Sequence, residues 1–525
     1  MEEQLENLER LILKAKRIAD ILKETPGRIR LVSHHDADGI TAAAIMLRAL
    51  QREGRDVHIT MVKQLSEKLI KELAGSGEKL LMFLDLGSGQ LDAIQRHMLG
   101  EGRKIIICDH HQVQGDIVSK DVMHLNPVNF SIPENVSGSG VTYLLARAMG
   151  AENKDLSELG IIGAIGDSQI GAIGQDWGLA GLNKEILKDS VKVGKIAVKK
   201  GLRIWGRYSR PIHKALEFSM EPYIPGISGS ESAAVQFLQE LGIKLKNEKD
   251  GWRCLADLTE KEQKKLATGI IKERIRNNQE NPDWIFGDMY DLLEKPGFRD
   301  ANEFATVLNA TGKMKKPYLG IALCLNMPEA GEEIKAIQDA YRREIAKSID
   351  WVRNNKNSIQ KTDSAYYILA GSKISEYIIS NAVSIVSRSD ILSNGKRLYF
   401  GFVDTEEGDV KVSSRAPDEM VKAGANLQEL MSVAASKVKG EGGGHSGAAG
   451  ATIPKGTEQA FITHIEKQLS KPEKKPEEKP PEKPTETNIK QPSKETVIKP
   501  KDEHGRRERS TKKVEGKGLV RYFGA

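Results

Sequence analysis

The side chains best suited to chemistry in this chain are carboxylates and imidazoles that cluster at four places in its first third. They are His-His-Asp-Ala-Asp-Gly at residues 34 to 39, Asp85, Asp109-His110-His111, and Asp167. Mn²⁺ or a similar divalent ion accepts this assortment of O and N ligands. Asp36 and Asp38 are two residues apart, so on an extended segment they would point to one side and repel each other unless a cation lay between them. The pattern predicts metal-dependent chemistry.

Each of these clusters follows an apolar run that must position it. Strand-like runs occur at residues 29 to 32, 57 to 62, 79 to 84, 104 to 108 and 122 to 125, and helical patterns separate them. This alternation predicts an α/β fold with a doubly wound, mainly parallel sheet. Ligands bind at the carboxyl ends of the strands in such sheets. We therefore expect the four clusters to meet at one edge.

Bulk properties narrow the class of protein. With 525 residues the chain is too long for one core, and its net charge of +6 does not by itself favour nucleic acid. The three cysteines are far apart, which argues against a disulfide scaffold or a cysteine-type zinc site and fits a reducing cytoplasm. Residues 1 to 25 form a charged amphipathic helix, and no apolar run reaches membrane length. We expect a soluble, cytoplasmic protein.

The four clusters resemble, in order and spacing, the four motifs of the DHH phosphoesterase superfamily, and the chain resembles its archaeal RecJ-like single-strand-specific exonucleases. The resemblance implies two divalent ions, Mn²⁺ preferred and Mg²⁺ an alternative, that activate a water for attack on phosphorus. It assigns Asp36 and Asp85 to one ion. It assigns Asp38, Asp85, His110 and Asp167 to the other. By the same resemblance His111 faces the phosphate and Asp109 orients its neighbours.

One position departs from the small-substrate members of that superfamily, which carry a metal-binding histidine where this chain has Val32. His34 lies two residues before Asp36 on the same strand face and can replace that histidine as a metal ligand. The ligand set of the first ion is left open. His35, His58, His97 and His124 are interpreted as ordinary surface or core residues.

Two further segments each allow two interpretations, one functional and one structural. Ser137-Gly138-Ser139-Gly140 opens a helix, where Ser139 either contacts a substrate phosphate or belongs to a simple helix cap. Residues 205 to 211 interleave aromatics with arginines. That mixture suits single-strand binding, or else the segment is a buried linker between domains. The surrounding region, residues 201 to 350, is expected to be a mainly helical middle domain with an apolar strand at residues 319 to 325.

Residues 351 to 470 predict a smaller α/β domain, after a first domain expected at residues 26 to 200. Its Gly442-Gly443-Gly444-His445 run is either a flexible turn or an anion-binding loop. The run resembles the Gly-Gly-Gly-His motif of the DHH-associated domain, preceded as there by Arg415. The resemblance implies that Arg415, Gly443, Gly444 and His445 bind the substrate backbone across a cleft.

The C-terminal composition changes after Ser470. Residues 471 to 515 are rich in proline, lysine and glutamate, and predict a disordered linker. At residues 516 to 525, Leu519, Tyr522 and Phe523 have the spacing of one face of a helical turn. This end resembles the peptide that binds the PCNA sliding clamp, with Gly516 where that motif usually has glutamine.

The main functional hypothesis is a metal-dependent single-strand exonuclease acting on DNA, or on RNA, in replication or repair near the nucleoid. The resemblance implies single-stranded nucleic acid, the PCNA clamp and the GINS replication complex as partners. One alternative is a phosphodiesterase for short oligonucleotides. Another is a replisome scaffold related to the RecJ-like component of the eukaryotic replicative helicase.

Overall fold

The computed structural model describes residues 2–100, 102–132, 136–173, 176–219, 222–328, 330–392 and 397–470. The predicted disordered linker and the clamp-like peptide with Leu519, Tyr522 and Phe523 lie outside the described residues. Within the described ranges, no helix is long and apolar enough to cross a membrane.

The first sheet has five parallel strands in the order β2-β1-β3-β4-β5. They are β1 (Ile29–His34), β2 (Val57–Val62), β3 (Leu80–Leu84), β4 (Lys104–Cys108) and β5 (Val122–Leu125). Strand β3 is buried along its whole length, because helices cover both faces of the sheet. The strand order reverses between β1 and β3. Open α/β sheets bind their ligands at such a switch point.

Seven α-helices of the described residues belong to this first region. They are α1 (Glu2–Glu24), α2 (Ala37–Arg52), α3 (Glu67–Ala74), α4 (Leu91–Met98), α5 (Gly138–Met149), α6 (Ser157–Gly166) and α7 (Gly181–Lys192). Helices α1, α2, α5 and α6 build the core on one face of the sheet, and α3 and α4 build the core on the other. The predicted doubly wound α/β fold is confirmed. A short antiparallel pair, β6 (Gly171–Ile173) and β7 (Asp176–Gly178), follows α6.

The middle region begins with β8 (Ile196–Leu202), which pairs antiparallel with the later strand β9 (Phe286–Leu292). Between them lie α8 (Ile212–Glu217), α9 (Glu231–Glu240) and α10 (Glu260–Arg276), which share a separate apolar core. The helices α11 (Ala301–Lys313), α12 (Pro317–Cys324) and α13 (Ala330–Asn354) follow β9. The expected strand at residues 319 to 325 was wrong. Its apolar run is too short for periodicity to separate strand from helix, and Pro317 starts a helix there.

A second, mixed sheet has the strand order β10-β11-β12-β13-β15-β14. Its strands are β10 (Ile359–Lys361), β11 (Ala365–Gly371), β12 (Leu398–Asp404), β13 (Val410–Arg415), β14 (Glu441–Gly444) and β15 (Ala448–Ile453). Its helices are α14 (Ile379–Ser387), α15 (Asp418–Lys422), α16 (Leu427–Lys437) and α17 (Glu458–Leu469). Helices α16 and α17 cover one face. Residues of α13 and α14 cover the other, where Ala310 of α11 joins the same core.

Candidate metal centre

Three groups of metal-ligand side chains meet at the carboxyl edge of the first sheet. Within each group the ligand atoms lie within 4.8 Å of one another. The groups are His34, Asp36 and Asp85; Asp38, His110 and Asp167; and Asp85, Asp109, His110 and His111. All six residues predicted as metal ligands are therefore brought together. Asp85, at the end of β3, belongs to two of the groups and lies beside the switch point of the sheet.

The first group contains His34, whose role as a ligand of the first ion the sequence left open. His34 ends β1, and its Nδ1 lies 3.0 Å from Asp36 Oδ2 and 3.6 Å from Asp85 Oδ2. Val32 is fully buried in the core below this edge. Burial lowers the pKa of His34, but Asp36 and Asp85 outweigh it and hold that pKa well above its usual value. This imidazole lies in a strongly negative environment that suits a cation.

The second group contains Asp38 but not Asp36, and the expectation that both residues lie on one extended segment was wrong. Asp36 is the N-cap of α2 and accepts a hydrogen bond of 3.0 Å from the Gly39 N–H. Asp38 lies in the first turn of the helix, where side chains no longer alternate. His110 Nε2 lies 3.8 Å from Asp38 Oδ2 and 3.7 Å from Asp167 Oδ2. The two aspartates thus serve different ligand groups.

Asp38 is held by the start of α5. Its carboxylate accepts hydrogen bonds from the backbone N–H groups of Gly138 at 2.7 Å and Ser139 at 3.0 Å. Ser139 is fully buried, and its hydroxyl bonds to that of Ser137. The predicted contact of Ser139 with substrate is therefore replaced by an internal one, because Asp38 already uses the helix N-terminus as its anion site.

Two glycines make room for these carboxylates. A Cβ on Gly138 would lie 2.6 Å from Asp85 Oδ1, and a Cβ on Gly163 of α6 would lie 2.5 Å from Asp38 Oδ1. Any larger residue at either position would displace a ligand. The Gly-Ser-Gly and Gly-Ala-Ile-Gly-Asp runs carry these glycines, so the sequence held the signal although it did not reveal the contact.

The donor set fits divalent ions. Asp85 Oδ1 and His110 Nε2 lie 3.4 Å apart, and both are buried atoms without a hydrogen-bond partner among the described residues. Burial, then Asp85 and Asp167, raise the pKa of Asp38 well above its usual value. Burial and Asp85 likewise raise the pKa of Asp167 to about 6, against the effect of His110. Crowded carboxylates of this kind are stabilised by a bound cation.

Asp109 orients its neighbours. Its carboxylate accepts hydrogen bonds from the Ser88 N–H at 2.9 Å and the His110 N–H at 2.8 Å, and it lies 2.7 Å from His111 Nδ1. Burial lowers the pKa of His111, but Asp109 outweighs it and raises that pKa to about 9. The His111 side chain is 58% exposed and available to a ligand. His124 bonds Ser88 Oγ at 2.8 Å and belongs to the buried support of this loop.

A cleft of about 1150 Å³ lies between this edge and the second sheet, with His34 and Asp36 on one wall. Lys63, Lys313 and Lys411 also line it. Burial and then Lys63 lower the pKa of Lys411 to about 8. Burial also lowers the pKa of Lys313 to about 8, with Arg415 adding to the effect and Asp36 opposing it.

These three lysines are residues that sequence reasoning missed. They stand in no motif, and only the fold brings them together. Lys63 already pairs with Glu376, so Lys313 and Lys411 are the lysines left to bind a phosphate beside His34 and Asp36.

The glycine-rich run enters the cleft as a strand. Gly442, Gly443 and Gly444 belong to β14, which pairs with β15, so neither the flexible turn nor the anion nest is found. Gly443 lines the cleft with open space around its missing side chain. His445 is exposed just beyond the strand, and Arg415 ends β13 near Lys313. As an edge strand, β14 leaves backbone groups for a ligand.

Helix α11 ties the metal-site loops together. Asn309 Oδ1 accepts a hydrogen bond of 2.9 Å from the Ala37 N–H, and Asn309 Nδ2 lies 3.5 Å from the Gly166 carbonyl. Asn309 thus fixes the loops that carry Asp36 and Asp167.

Comparison with known proteins gives three family matches along this chain. They are the DHH family, N-terminal domain, at residues 28–164, the DHH-CID domain at residues 204–283 and the DHHA1 domain at residues 365–471. An uncharacterized protein of Methanocaldococcus jannaschii is 30% identical over 477 residues, which cover 89% of this chain and 98% of the relative.

The single-stranded-DNA-specific exonuclease RecJ of Thermus thermophilus is 28% identical over 226 residues, which cover 40% of this chain and 32% of that protein. The crystal structure of T. thermophilus RecJ in complex with Mn²⁺ has a TM-score of 0.53 at 18% identity, over 87% of this chain and 54% of the RecJ chain. Cdc45 from Entamoeba histolytica has a TM-score of 0.56 at 11% identity, over 89% and 99% of the two chains. This chain spans about half of the T. thermophilus RecJ structure.

Proposed function

Since this chain is a RecJ-like member of the DHH superfamily, we propose that it is a single-strand-specific exonuclease that hydrolyses phosphodiester bonds in DNA or RNA. The observation that carries the proposal is the convergence of the ligand groups around Asp85 and His110, beside a cleft that Lys313 and Lys411 line. Carboxylates without those cations would bind metal but not hold a polyanion.

His34, Asp36 and Asp85 would hold one divalent ion, and Asp38, Asp85, His110 and Asp167 the other, with Mn²⁺ preferred over Mg²⁺. When bound, two such ions supply Lewis-acid activation of water and neutralise charge on the phosphodiester. Asp109 lies 2.7 Å from His111 Nδ1 and orients the ring, and the exposed His111 side chain would donate to a phosphate oxygen. Lys313 and Lys411 bind phosphate oxygens from the facing wall, with Arg415, Gly443, Gly444 and His445 contacting the neighbouring backbone.

The test is a digestion of end-labelled single strands of DNA and of RNA with Mn²⁺, Mg²⁺ or a chelator. We expect a ladder of shortened products from one labelled end, with Mn²⁺ and not with chelator. Asp85→Asn should lose at least about 100-fold in rate, because Asp85 is a ligand in both proposed ion sites.

The matched control is Asp116→Asn, an exposed aspartate in the loop after β4. It should cleave like the unmodified protein. Full activity of Asp85→Asn, or cleavage in chelator, would contradict the proposal.

The two alternative functions predict that different substrates are cleaved. A phosphodiesterase for short oligonucleotides would cleave a dinucleotide and leave a long strand intact. A replisome scaffold would cleave neither, and the likeness of fold to Cdc45 favours keeping it as a candidate. The complete set of ligand side chains around Asp85 favours an enzyme.

The proposed activity places the protein at the nucleoid and in contact with the replication machinery. The C-terminal peptide with Leu519, Tyr522 and Phe523 would dock on the PCNA clamp, and the GINS complex is a further proposed partner. Deleting residues 516 to 525 should abolish co-purification with the clamp while leaving strand cleavage unchanged. Equal co-purification would remove the clamp from the proposal.

A further inference from the structure

Helix α11 carries a polar stripe that leads away from the metal centre. Its four residues that are not buried are Asn302, Thr306, Asn309 and Lys313, spaced so that they share one face. Asn309 bonds the metal-site loop, and Lys313 lines the cleft. Thr306 lies one turn from Asn309, roughly 4.5 Å along the helix axis. The stripe therefore runs from the metal centre to Thr306 and the residues that contact it.

An aromatic platform adjoins Thr306. Trp205 is half-buried, and its Nε1 donates to Thr306 Oγ1 at 3.3 Å. The Arg210 guanidinium lies over the Trp205 ring, 4.0 Å from its centroid, and 4.8 Å from the centroid of Phe218. Phe218 is 55% exposed. We call these three residues, Trp205, Arg210 and Phe218, the platform.

The platform arginine differs from its neighbour. Arg207 is neutralised by Asp291 and Asp300, the latter at 2.8 Å, and therefore has a structural role. Among the described residues, no carboxylate lies within 4.0 Å of the Arg210 guanidinium. Burial and then Arg342 of α13 lower the pKa of Arg210 to about 10, and the more distant carboxylates of Glu303 and Glu217 only partly oppose this shift. A partly buried cation beside a second cation is stabilised by an anion.

We propose that the platform is a second single-strand binding site, at which a base stacks on Trp205 or Phe218 while Arg210 binds the adjoining phosphate. Arginine and aromatic side chains in contact bind single strands by stacking and phosphate pairing. The polar stripe of α11 joins the platform to the cleft, so one strand contacts both. The inference rests on the proposed function, since it assigns the path of the same strand beyond the cleaved bond.

The first test measures binding alone, in chelator, so that no strand is cleaved. The probes are fluorescein-labelled oligothymidylate and oligouridylate of about 20 nucleotides, longer than the ~4–16 that one site covers. Trp205→Ala should weaken binding of at least one probe roughly 10-fold or more, about 1.4 kcal/mol. Arg210→Ala should also reduce the slope of log affinity against log salt by about 0.7, the value of one phosphate contact.

Two further variants keep the test independent of folding. Arg210→Lys keeps the charge and should keep the salt slope while losing affinity, because lysine lacks the planar stacking group. Trp252→Ala removes a tryptophan of the middle region that is 52% exposed and lies outside the platform, and should bind like the unmodified protein. Unchanged binding of both probes by Trp205→Ala, or an equal loss in Trp252→Ala, would overturn the proposal.

The second test separates this proposal from the proposed function. With Mn²⁺, Trp205→Ala should raise KM for a long strand and leave kcat/KM for a dinucleotide unchanged, since a dinucleotide in the cleft does not extend to the platform. Strand binding that depends on Trp205 without any cleavage would contradict the nuclease and support the platform. Cleavage of long strands with an unchanged KM in Trp205→Ala would support the nuclease and overturn the platform.

Discussion

Gly138 positions Asp38, because its backbone N–H donates to Asp38 Oδ2 at 2.7 Å. The same glycine lies against Asp85, since a Cβ on Gly138 would come within 2.6 Å of that side chain. One residue at the start of α5 therefore sets the positions of Asp85 in the first ligand group and Asp38 in the second.

Replacing Gly138 by alanine should damage the metal centre more than the fold. The new methyl group forces Asp85 or α5 to move, which costs about 1–3 kcal/mol of stability. We expect hydrolysis and Mn²⁺ affinity to fall by roughly 10- to 100-fold, as for other residues that support ligands. Titration calorimetry with Mn²⁺ and the end-labelled strand assay measure the two effects.

Gly160→Ala of α6 is the matched control. A Cβ there meets its nearest atoms, on Ile186 and Tyr143, at 3.4 and 3.5 Å, which are ordinary contacts. It should keep activity and gain up to about 1 kcal/mol from helix propensity. Equal losses in the two variants would contradict the special role of Gly138.

Divalent ions should stabilise the folded chain. Burial and then neighbouring carboxylates raise the pKa values of Asp38 and Asp167, so the free protein holds crowded, buried carboxyl groups here. Mn²⁺ at about 100 times its Kd adds about 2.7 kcal/mol of stability, or roughly 5–10 °C in Tm. Differential scanning fluorimetry should show this shift in Asp116→Asn and lose most of it in Asp85→Asn. A full shift in Asp85→Asn would place the ions elsewhere.

The affinity for substrate should fall in alkaline solution. The pKa values of Lys313 and Lys411 are about 8, so both lysines carry their charge below that pH and lose it above. We expect kcat/KM for a long strand to decrease as pH rises through 8. The double variant Lys313→Arg, Lys411→Arg should lose this alkaline decrease in kcat/KM, because arginine stays charged. The same decrease in the double variant would show that these lysines do not bind the substrate.

Loss of stability does not explain that decrease in kcat/KM, because the contribution of these lysines to the free energy of unfolding changes with pH in the opposite direction. An unfolded lysine has a pKa of about 10.4, above the folded values, so the unfolded chain binds more protons between pH 8 and 10. The contribution of these two lysines to the free energy of unfolding therefore rises with pH in that window. Urea unfolding at pH 8 and pH 10 checks the sign.

A buried ion pair should dominate stability near α6. Lys295 Nζ lies 2.9 Å from Glu158 Oε1 and donates to the Cys324 carbonyl at 2.6 Å, with both charged side chains almost wholly buried. Lys295→Met leaves the Glu158 carboxylate unpaired and should cost about 3–5 kcal/mol, which Glu158→Leu in the double variant largely restores. Lys195→Met is the control. Its partner Glu294 is exposed, so urea unfolding should show about 1 kcal/mol or less.

Much of the fold follows from local pattern. The strands of the first sheet are mainly apolar runs of four to six residues. Charged or imidazole groups end or follow four of the five strands, and parallel pairing fixes the edge where those groups meet. That logic reaches His34, Asp85 and His110, but not Asp167, which is the C-cap of helix α6. It fails at Asp36 and Asp38, because helix α2 begins between them and replaces the alternation of a strand with helical geometry.

The remaining features depend on contacts between distant segments. The use of the Ser139 N–H by Asp38 and the convergence of Lys63, Lys313 and Lys411 involve residues 98 or more positions apart, and no local pattern specifies them. The apolar run at residues 319 to 325 shows the same limit. Its neighbours in space, not its order of residues, decide that it forms a helix.

The bond between Asn309 and the Ala37 N–H joins residues 272 positions apart. A ribosome adds about 5–20 residues per second, so roughly 14 to 54 s pass between synthesis of the two partners. During that interval the first sheet can fold, but the loop before α2 lacks the amide that fixes it. The proposed nuclease activity would therefore be delayed until α11 has emerged and docked.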